Sequence, residues 1–342
     1  MSNSFYSGKQ NKHSRRGNNS FIFQAALVLS IIAVILVSMI VLTIFSSNNL
    51  MGIEGEPVSN VPSNVLPSYS TCSFQSYDGQ TNLSGWFFKC DNPVSTVILV
   101  HDVGDNRLQF GVNMIDMVEQ LLDNHYNVFL FDQRNTGDSE GDIVGYGYLE
   151  WQDVLGAIAQ VKKISVTTNV ILYGVGTGVT SSLLAYDMLP PVDCKESDLH
   201  RYSNDIIALG FNQSYIVGFI FDSPAKNSDD YISPVVAQTE FLGSITKNTV
   251  PYAIRISSGV DSSLNIASEI SRLPIPVCII YGGHDSFIGA DKINQLVTER
   301  TRINEHLTSS LLVPGAGYLE SYNSDRELYI ETVINYLNKF FD

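Results

Sequence analysis

The segment Tyr173-Gly174-Val175-Gly176-Thr177-Gly178 follows an apolar run, Thr168 to Leu172, and opens a helix-forming run, Val179 to Met188. An apolar run of this length followed at once by helical periodicity reads as a strand feeding a helix through a very short turn. Glycines at alternate positions let the backbone adopt the left-handed conformation that such a turn demands.

Working outward, the same alternation repeats. Cys72 to Ser76 and Leu83 to Phe88 predict a hairpin around Asp78-Gly79. Thr96 to His101, Asn127 to Phe131, Asn169 to Tyr173, Ile216 to Phe221, Val277 to Tyr281 and Ser310 to Val313 predict further strands. Helical runs lie between them, at about 108–125, 149–164 and 179–188, with a last one at about 325–341. In the second of these Trp151, Val154, Leu155, Ile158 and Val161 share one face. Continuous β-branched strands between helices predict an α/β domain, a mostly parallel sheet covered on both faces. Two segments interrupt the pattern, an insertion at 189–214 and a mostly helical cap at 226–272, both near the sheet end where ligands bind.

Residues 21–45 carry no charge, and at about 1.5 Å per residue a helix of that length spans a hydrocarbon core of about 30 Å. The run is too long for a cleaved signal peptide, so it reads as a transmembrane signal anchor. Lys9, Lys12, Arg15 and Arg16 precede it, whereas Glu54 and Glu56 follow. That asymmetry predicts a cytoplasmic N-terminus and an extracytoplasmic domain. The organisation expected is a basic cytoplasmic tail (1–20), the transmembrane helix (21–45), a Ser-, Asn- and Pro-containing flexible linker (46–69) and the α/β domain (70–342). Formal net charge is −15, and because the first 50 residues hold four bases and no acid, the remainder carries −19. A surface of that sign repels nucleic acid and anionic lipid headgroups, so neither is expected as a partner of the globular part. Of four cysteines, Cys278 lies in a strand run and reads as buried, while Cys72 and Cys90 flank the hairpin and are candidates for a disulfide. No C-x-x-C or His/Cys cluster suggests a metal, and nothing suggests a cofactor.

Five motifs in chain order resemble the α/β-hydrolase superfamily, and more closely its serine aminopeptidase and prolyl-oligopeptidase-like branch in its membrane-anchored bacterial form. VILVHDVGDNR (97–107) is similar to the strand and loop that supply half of the oxyanion hole, with Asp102 where the family has glycine. LFDQRNTGDSEG (130–141) resembles the family's Asp-x-Arg-x-x-Gly-x-Ser loop, in which Asp132 and Arg134 are expected to pair. LYGVGTG (172–178) resembles the nucleophile elbow, PVCIIYGGHDSFIG (276–289) the loop of the acid, and LLVPGAGYLESY (311–322) the loop of the histidine. The resemblance implies an α/β-hydrolase fold with a small helical cap. It places Gly176, Asp285 and Tyr318 at the triad positions, and the backbone N–H groups of Val103 and Thr177 at the oxyanion hole.

Two of those three positions hold the wrong chemistry. Glycine has no atom with which to attack a carbonyl, and a tyrosine of ordinary pKa, about 10, is a poor base at neutral pH. The oxyanion donors alone would leave only about 10³- to 10⁴-fold over water. The sequence therefore reads as a catalytically inactive pseudo-hydrolase that acts by binding an unknown small molecule or protein. The alternative is an active esterase or peptidase with relocated catalytic groups. Tyr318 is expected to donate to Asp285. Thr177 is expected to point away from the site, Thr180, Ser181 and Ser182 to bond helix carbonyls, and His101 to pack under the oxyanion loop. A dinucleotide-binding reading of Gly174-x-Gly176-x-Gly178 fails, because Val179 stands where a third spaced glycine is required.

Overall fold

The computed structural model describes residues 15–62 and 64–341; Lys9 and Lys12 of the expected tail lie outside them. Eight strands form one sheet: β1 (Tyr69–Gln75), β2 (Asn82–Phe88), β3 (Ser95–Val100), β4 (Tyr126–Phe131), β5 (Val170–Val175), β6 (Ile216–Asp222), β7 (Val277–Gly282) and β8 (Thr308–Val313). Their order is β1-β2-β4-β3-β5-β6-β7-β8. The hairpin β1/β2 and the β2/β4 pair are antiparallel, and all other neighbours are parallel.

The helices are α1 (Arg15–Met51), α2 (Met114–Asp123), α3 (Trp151–Ile164), α4 (Gly178–Met188), α5 (Asn204–Ala208), α6 (Ser233–Thr239), α7 (Gly243–Thr246), α8 (Val250–Ser257), α9 (Ile266–Arg272), α10 (Ala290–Asn304), α11 (Ser321–Ser324) and α12 (Arg326–Phe341). Strand alternation divides the core between two faces. Ile98 and Val100 of β3 pack with Val154 and Ile158 of α3 and with Val179 and Leu183 of α4. Val97 and Leu99 pack with Val118 and Leu121 of α2 and Val333 and Leu337 of α12. Helix α10, between β7 and β8, has no counterpart among the sequence expectations. Of its 15 residues only Ile293, Leu296 and Arg300 are buried, which makes its apolar stripe thin.

Three details depart from the sequence reading. First, the segment expected as a flexible linker from residue 46 begins as helix. Helix α1 runs on to Met51, and Ser46, Ser47, Leu50 and Met51 are buried at helical spacing. The Gly55 N–H then donates to the Asn135 carbonyl (2.9 Å), the Glu56 N–H donates to that of Gly104 (2.8 Å), and Val61 enters the core. Second, Cys72 and Cys90 are free thiols. Cys72 sits opposite Gly85, five residues along the chain from Cys90, and at about 3.4 Å per residue that is beyond the reach of a disulfide. Third, Asp132 and Arg134 do not pair. Arg107 holds Asp132, and Arg134 holds Asp153 and Asp78. Strand β4 ends at Phe131 and the chain turns at Arg134 and Asn135, so the two side chains diverge and each meets a partner from elsewhere in the chain, Arg107 for Asp132 and Asp153 of α3 for Arg134.

The span Phe21–Met51 is long and apolar enough to cross a membrane, and most of its central window is exposed. Its last turns join a separate apolar cluster in which Leu50 and Met51 pack with Val144, Tyr146, Ile232, Val236, Val250 and Ile254. The cap helices α6 and α8 thus share a core with the end of α1 and with the loop before α3.

Candidate functional site

The parallel strands end together at one edge, and the loops after β3, β5, β6, β7 and β8 converge there. Gly176, one residue past β5, has φ +53°, and its N–H donates to the Asp222 carbonyl at the end of β6 (3.0 Å). Helix α4 starts two residues later, at Gly178, where a Cβ would lie 2.1 Å from the Val100 carbonyl oxygen. The glycines therefore serve two separate needs, left-handed backbone at the apex and close helix-to-strand approach below it.

Above Gly176 the space is filled. A Cβ on Gly176 would fall 2.4 Å from Asp102 Oδ1 and 2.6 Å from Tyr318 Oη. Asp102 is buried, and Thr177 donates to its Oδ1 twice, from the backbone N–H and from the hydroxyl, both at 2.8 Å. Tyr318 Oη donates to Oδ2 at 3.2 Å. The Val103 N–H donates to Thr177 Oγ1 at 2.8 Å. Both expected oxyanion donors are thus engaged, one by the Asp102 carboxylate and one by the Thr177 hydroxyl. Thr177 points into the site, contrary to expectation, because Asp102 supplies an acceptor that a glycine there would lack.

Tyr318 does not reach Asp285 as expected. Its ring lies on Phe287, with centroids 4.5 Å apart, and its hydroxyl turns to Asp102. Asp285 Oδ1 accepts the N–H groups of Phe287 (2.8 Å) and Ile288 (2.9 Å). Its Oδ2 is buried without a hydrogen-bond partner. Burial pushes the Asp285 carboxyl above the usual carboxylate range, against the pull of the backbone N–H groups. Burial also raises Asp102, against the hydrogen bonds from Thr177. The Tyr318 hydroxyl is raised well above its ordinary value by burial and then by the Asp102 charge. At neutral pH it is a donor and no base.

The remaining polar groups hold the loops. His101 is buried under the oxyanion loop as expected. Its Nε2 accepts the Gln133 N–H (2.9 Å), which leaves Nδ1 to donate to the Asp102 carbonyl (2.7 Å). Burial lowers its pKa, so the ring is neutral. His284 is exposed. Ser181 and Ser182 bond the Thr177 and Gly178 carbonyls as expected, whereas Thr180 Oγ1 is buried and unpaired. Among the described residues, no group of three or more His, Cys, Asp or Glu side chains is placed to hold a metal ion.

Sequence reasoning noticed Asp102 only as a departure from glycine. A side chain gained at 102 and one lost at 176 are complementary in volume, and that pairing was the available signal. Asp105 stands beside it: Gln109 links the two, accepting the Asp102 N–H and donating to Asp105 Oδ2, both at 2.5 Å. Burial and then the Asp102 charge raise Asp105 to about 7, against the hydrogen bond from Gln109. A raised carboxyl binds its proton more tightly folded than unfolded. Its stabilisation is complete below the ordinary carboxylate range and is lost as pH rises through about 7. Asp105→Asn keeps an acceptor for Gln109 and cannot ionise. Its melting temperature relative to wild type is therefore expected to climb from about pH 5 to about pH 8, and a pH-independent difference would show that Asp105 is not held protonated.

No protein-family model matches the chain. It is similar to the uncharacterized protein YfhR of Escherichia coli strain K12, 24% identical over 282 residues that cover 79% of this chain and 81% of the relative. The YfhR of Salmonella typhi is likewise 24% identical, over 276 residues, 78% of this chain and 80% of the relative. Among solved structures, the Pyrococcus furiosus esterase Pf2001 superimposes with a TM-score of 0.60 at 19% identity, covering 85% of this chain and 99% of that one. Est1E of Butyrivibrio proteoclasticus, solved with ferulic acid bound, gives 0.55 at 15% identity, over 78% and 98%. The α/β hydrolase GrgF of Penicillium sp. sh18 gives 0.54 at 15%, over 80% and 99%. The fold is the α/β-hydrolase fold, preceded by an apolar N-terminal helix.

Proposed function

We propose that this chain is a membrane-anchored pseudo-hydrolase that binds a small molecule or a protein partner and does not turn over esters or peptides. The observation that carries this reading is the Asp102 carboxylate on the Thr177 N–H. Acyl transfer needs that donor free for the oxyanion that forms as a carbonyl is attacked. A resident carboxylate withholds the donor and repels the developing negative charge. With no nucleophile at Gly176 and no base at Tyr318, three separate requirements of the reaction go unmet. Residues 21–45 anchor the chain in the membrane. The four Lys and Arg before the span support a cytoplasmic N-terminus and a domain on the far side.

One observation favours the rival reading, an esterase or peptidase with relocated groups. The Oδ2 of Asp285 is buried and has no hydrogen-bond partner, so this carboxyl retains an acceptor with which a general base would take a proton from water. The deciding experiment offers the purified full-length chain short-chain acyl esters and aminoacyl amides, with Asp285→Asn alongside. Neither protein is expected to exceed buffer. Turnover that survives repurification and falls in Asp285→Asn would overturn the pseudo-hydrolase reading.

A further inference from the structure

The cap is held where the anchor helix ends. Along the last part of α1 the residues turned inward follow a helical stripe: Met39 and Leu42 are half-buried, and Thr43, Ser46, Ser47, Leu50 and Met51 are buried. They face α8 and the loop before it. Thr43 Oγ1 and Thr249 Oγ1 are 2.8 Å apart in a hydrogen bond, and Leu50 and Met51 pack with Val250 and Ile254. Thr43 still belongs to the charge-free run 21–45. That run is about 37 Å long as a helix, longer than a hydrocarbon core of about 30 Å. The cap therefore touches the anchor before the anchor has left its apolar stretch.

The same part of the cap presents large apolar side chains to the outside. Phe241 is 76% exposed, Ile245 54%, Tyr252 53%, Ile256 53% and Leu242 45%. Tyr252 and Ile256 lie one turn apart on a single face of α8, while Val250 and Ile254 of that helix turn to the core. Helix α7 presents Ile245 in the same way. Clustering of this kind is not the scatter of single apolar residues that any surface shows. Charge follows the same outline. Residues 231–260 contain one acid, Glu240, and two bases, Lys247 and Arg255, and Arg255 is paired with Asp229 just before them, so the stretch is close to neutral in a chain with 35 acids and 20 bases. A near-neutral stretch of an acidic domain carries little charge to desolvate at a neutral phospholipid surface.

We propose that the α7–α8 tip of the cap is a second membrane contact: Phe241, Leu242, Ile245, Tyr252 and Ile256 enter the interfacial layer of the bilayer that α1 crosses. The occupant is lipid because the patch adjoins the helix that crosses it, which fixes the patch at the level where that helix emerges. A tilted anchor brings the face nearer still, since a run longer than the hydrocarbon core is accommodated by tilt. The domain is then held at two points, the α1 helix and the cap tip, and cannot swing freely. The loops carrying Tyr146 and Val103, which pack on the same cluster, are held close to the membrane surface. The inference rests on the reading of residues 21–45 as a membrane span.

The test uses the full-length chain in vesicles of neutral phospholipid, with Cys72, Cys90 and Cys194 changed to Ser and buried Cys278 retained. A nitroxide is placed on a cysteine substituted at Ile245, Ile256, Val34 or Val166, one at a time. Val34 lies within the anchor, and Val166, 77% exposed, lies at the opposite end of the sheet. All four side chains are more than half exposed, which leaves room for the label. The readout is collision with oxygen, which partitions into lipid, against collision with a water-soluble nickel chelate. Labels at Ile245 and Ile256 are expected to show an oxygen-to-chelate ratio several-fold above that at Val166 and approaching that at Val34. If Val34 reads as lipid while Ile245 and Ile256 match Val166, the cap stands clear of the bilayer and the proposal is wrong. If Val34 itself reads as water, the anchor reading falls and the proposal falls with it.

Discussion

Gly176→Ala is expected to destabilise the folded chain by about 2–5 kcal/mol, the sum of a left-handed backbone for a residue with a Cβ and a steric conflict above it. The backbone contribution follows from φ +53°. The conflict follows from Asp102 Oδ1 at 2.4 Å and Tyr318 Oη at 2.6 Å from the added methyl. These two parts separate in a double-mutant cycle. Asp102→Gly removes the carboxylate and with it the acceptor that holds the Tyr318 hydroxyl, so Gly176→Ala in that background keeps the backbone strain, loses the closer contact and meets a tyrosine free to give way. The coupling between the two sites is expected to be about 1–3 kcal/mol, favourable in the double variant. Thermal unfolding of the full-length chain and its three variants in detergent measures it. Additive effects would mean that Asp102 does not occupy the space over the turn, and the central feature of the site would be gone.

That coupling also explains what the sequence could and could not reveal. Backbone periodicity is local. The run before Gly176 and the helix after it announce themselves through spacing, the loops of Asp285 and Tyr318 only through their resemblance to family motifs, and all of them meet at one edge of the sheet. What fills a void is a non-local question. Asp102 and Gly176 are 74 residues apart in the chain, and nothing in the periodicity around either says that one side chain enters the space the other leaves. The same limit explains Arg134. Its motif suggested the nearest carboxylate, Asp132, but the partners at hydrogen-bond distance are Asp153 from α3 and Asp78 from the hairpin turn. Hydrophobic patterning likewise marked the apolar stretch of α1 and its upstream charges. It did not show that Leu50 and Met51, polar neighbours notwithstanding, continue the helix into the cap. The Asp102, Arg134 and α1 misses are side-chain contacts made across elements, whereas α10 escaped because its own apolar stripe is thin.

Catalysis on this scaffold is expected to require three changes where the triad alone would suggest two. Gly176→Ser supplies a hydroxyl at the apex, and Tyr318→His supplies a base. The new imidazole Nδ1–H has a ready acceptor in Asp285 Oδ2, which is buried and unpartnered. The pair by itself is nevertheless expected to stay at background, for two reasons. The new side chain would begin 2.4 Å from Asp102 Oδ1, and the Thr177 N–H would still be donated to that carboxylate. Adding Asp102→Gly opens the space and frees the donor. Loss of one oxyanion donor lowers kcat by about 10²- to 10³-fold in an acyl-transfer site, or about 2.7–4 kcal/mol. The triple variant is therefore expected to hydrolyse short-chain esters at least about 10²-fold faster than the pair, and Asp285→Asn in that background should take most of the gain away. If the pair matched the triple, the Asp102 carboxylate would not be obstructing the hole. If the triple were active and insensitive to Asp285→Asn, the rate would come from the hydroxyl and the hole without a triad. Either result would separate the obstruction from the missing nucleophile, which the wild-type chain, lacking both conditions at once, cannot do.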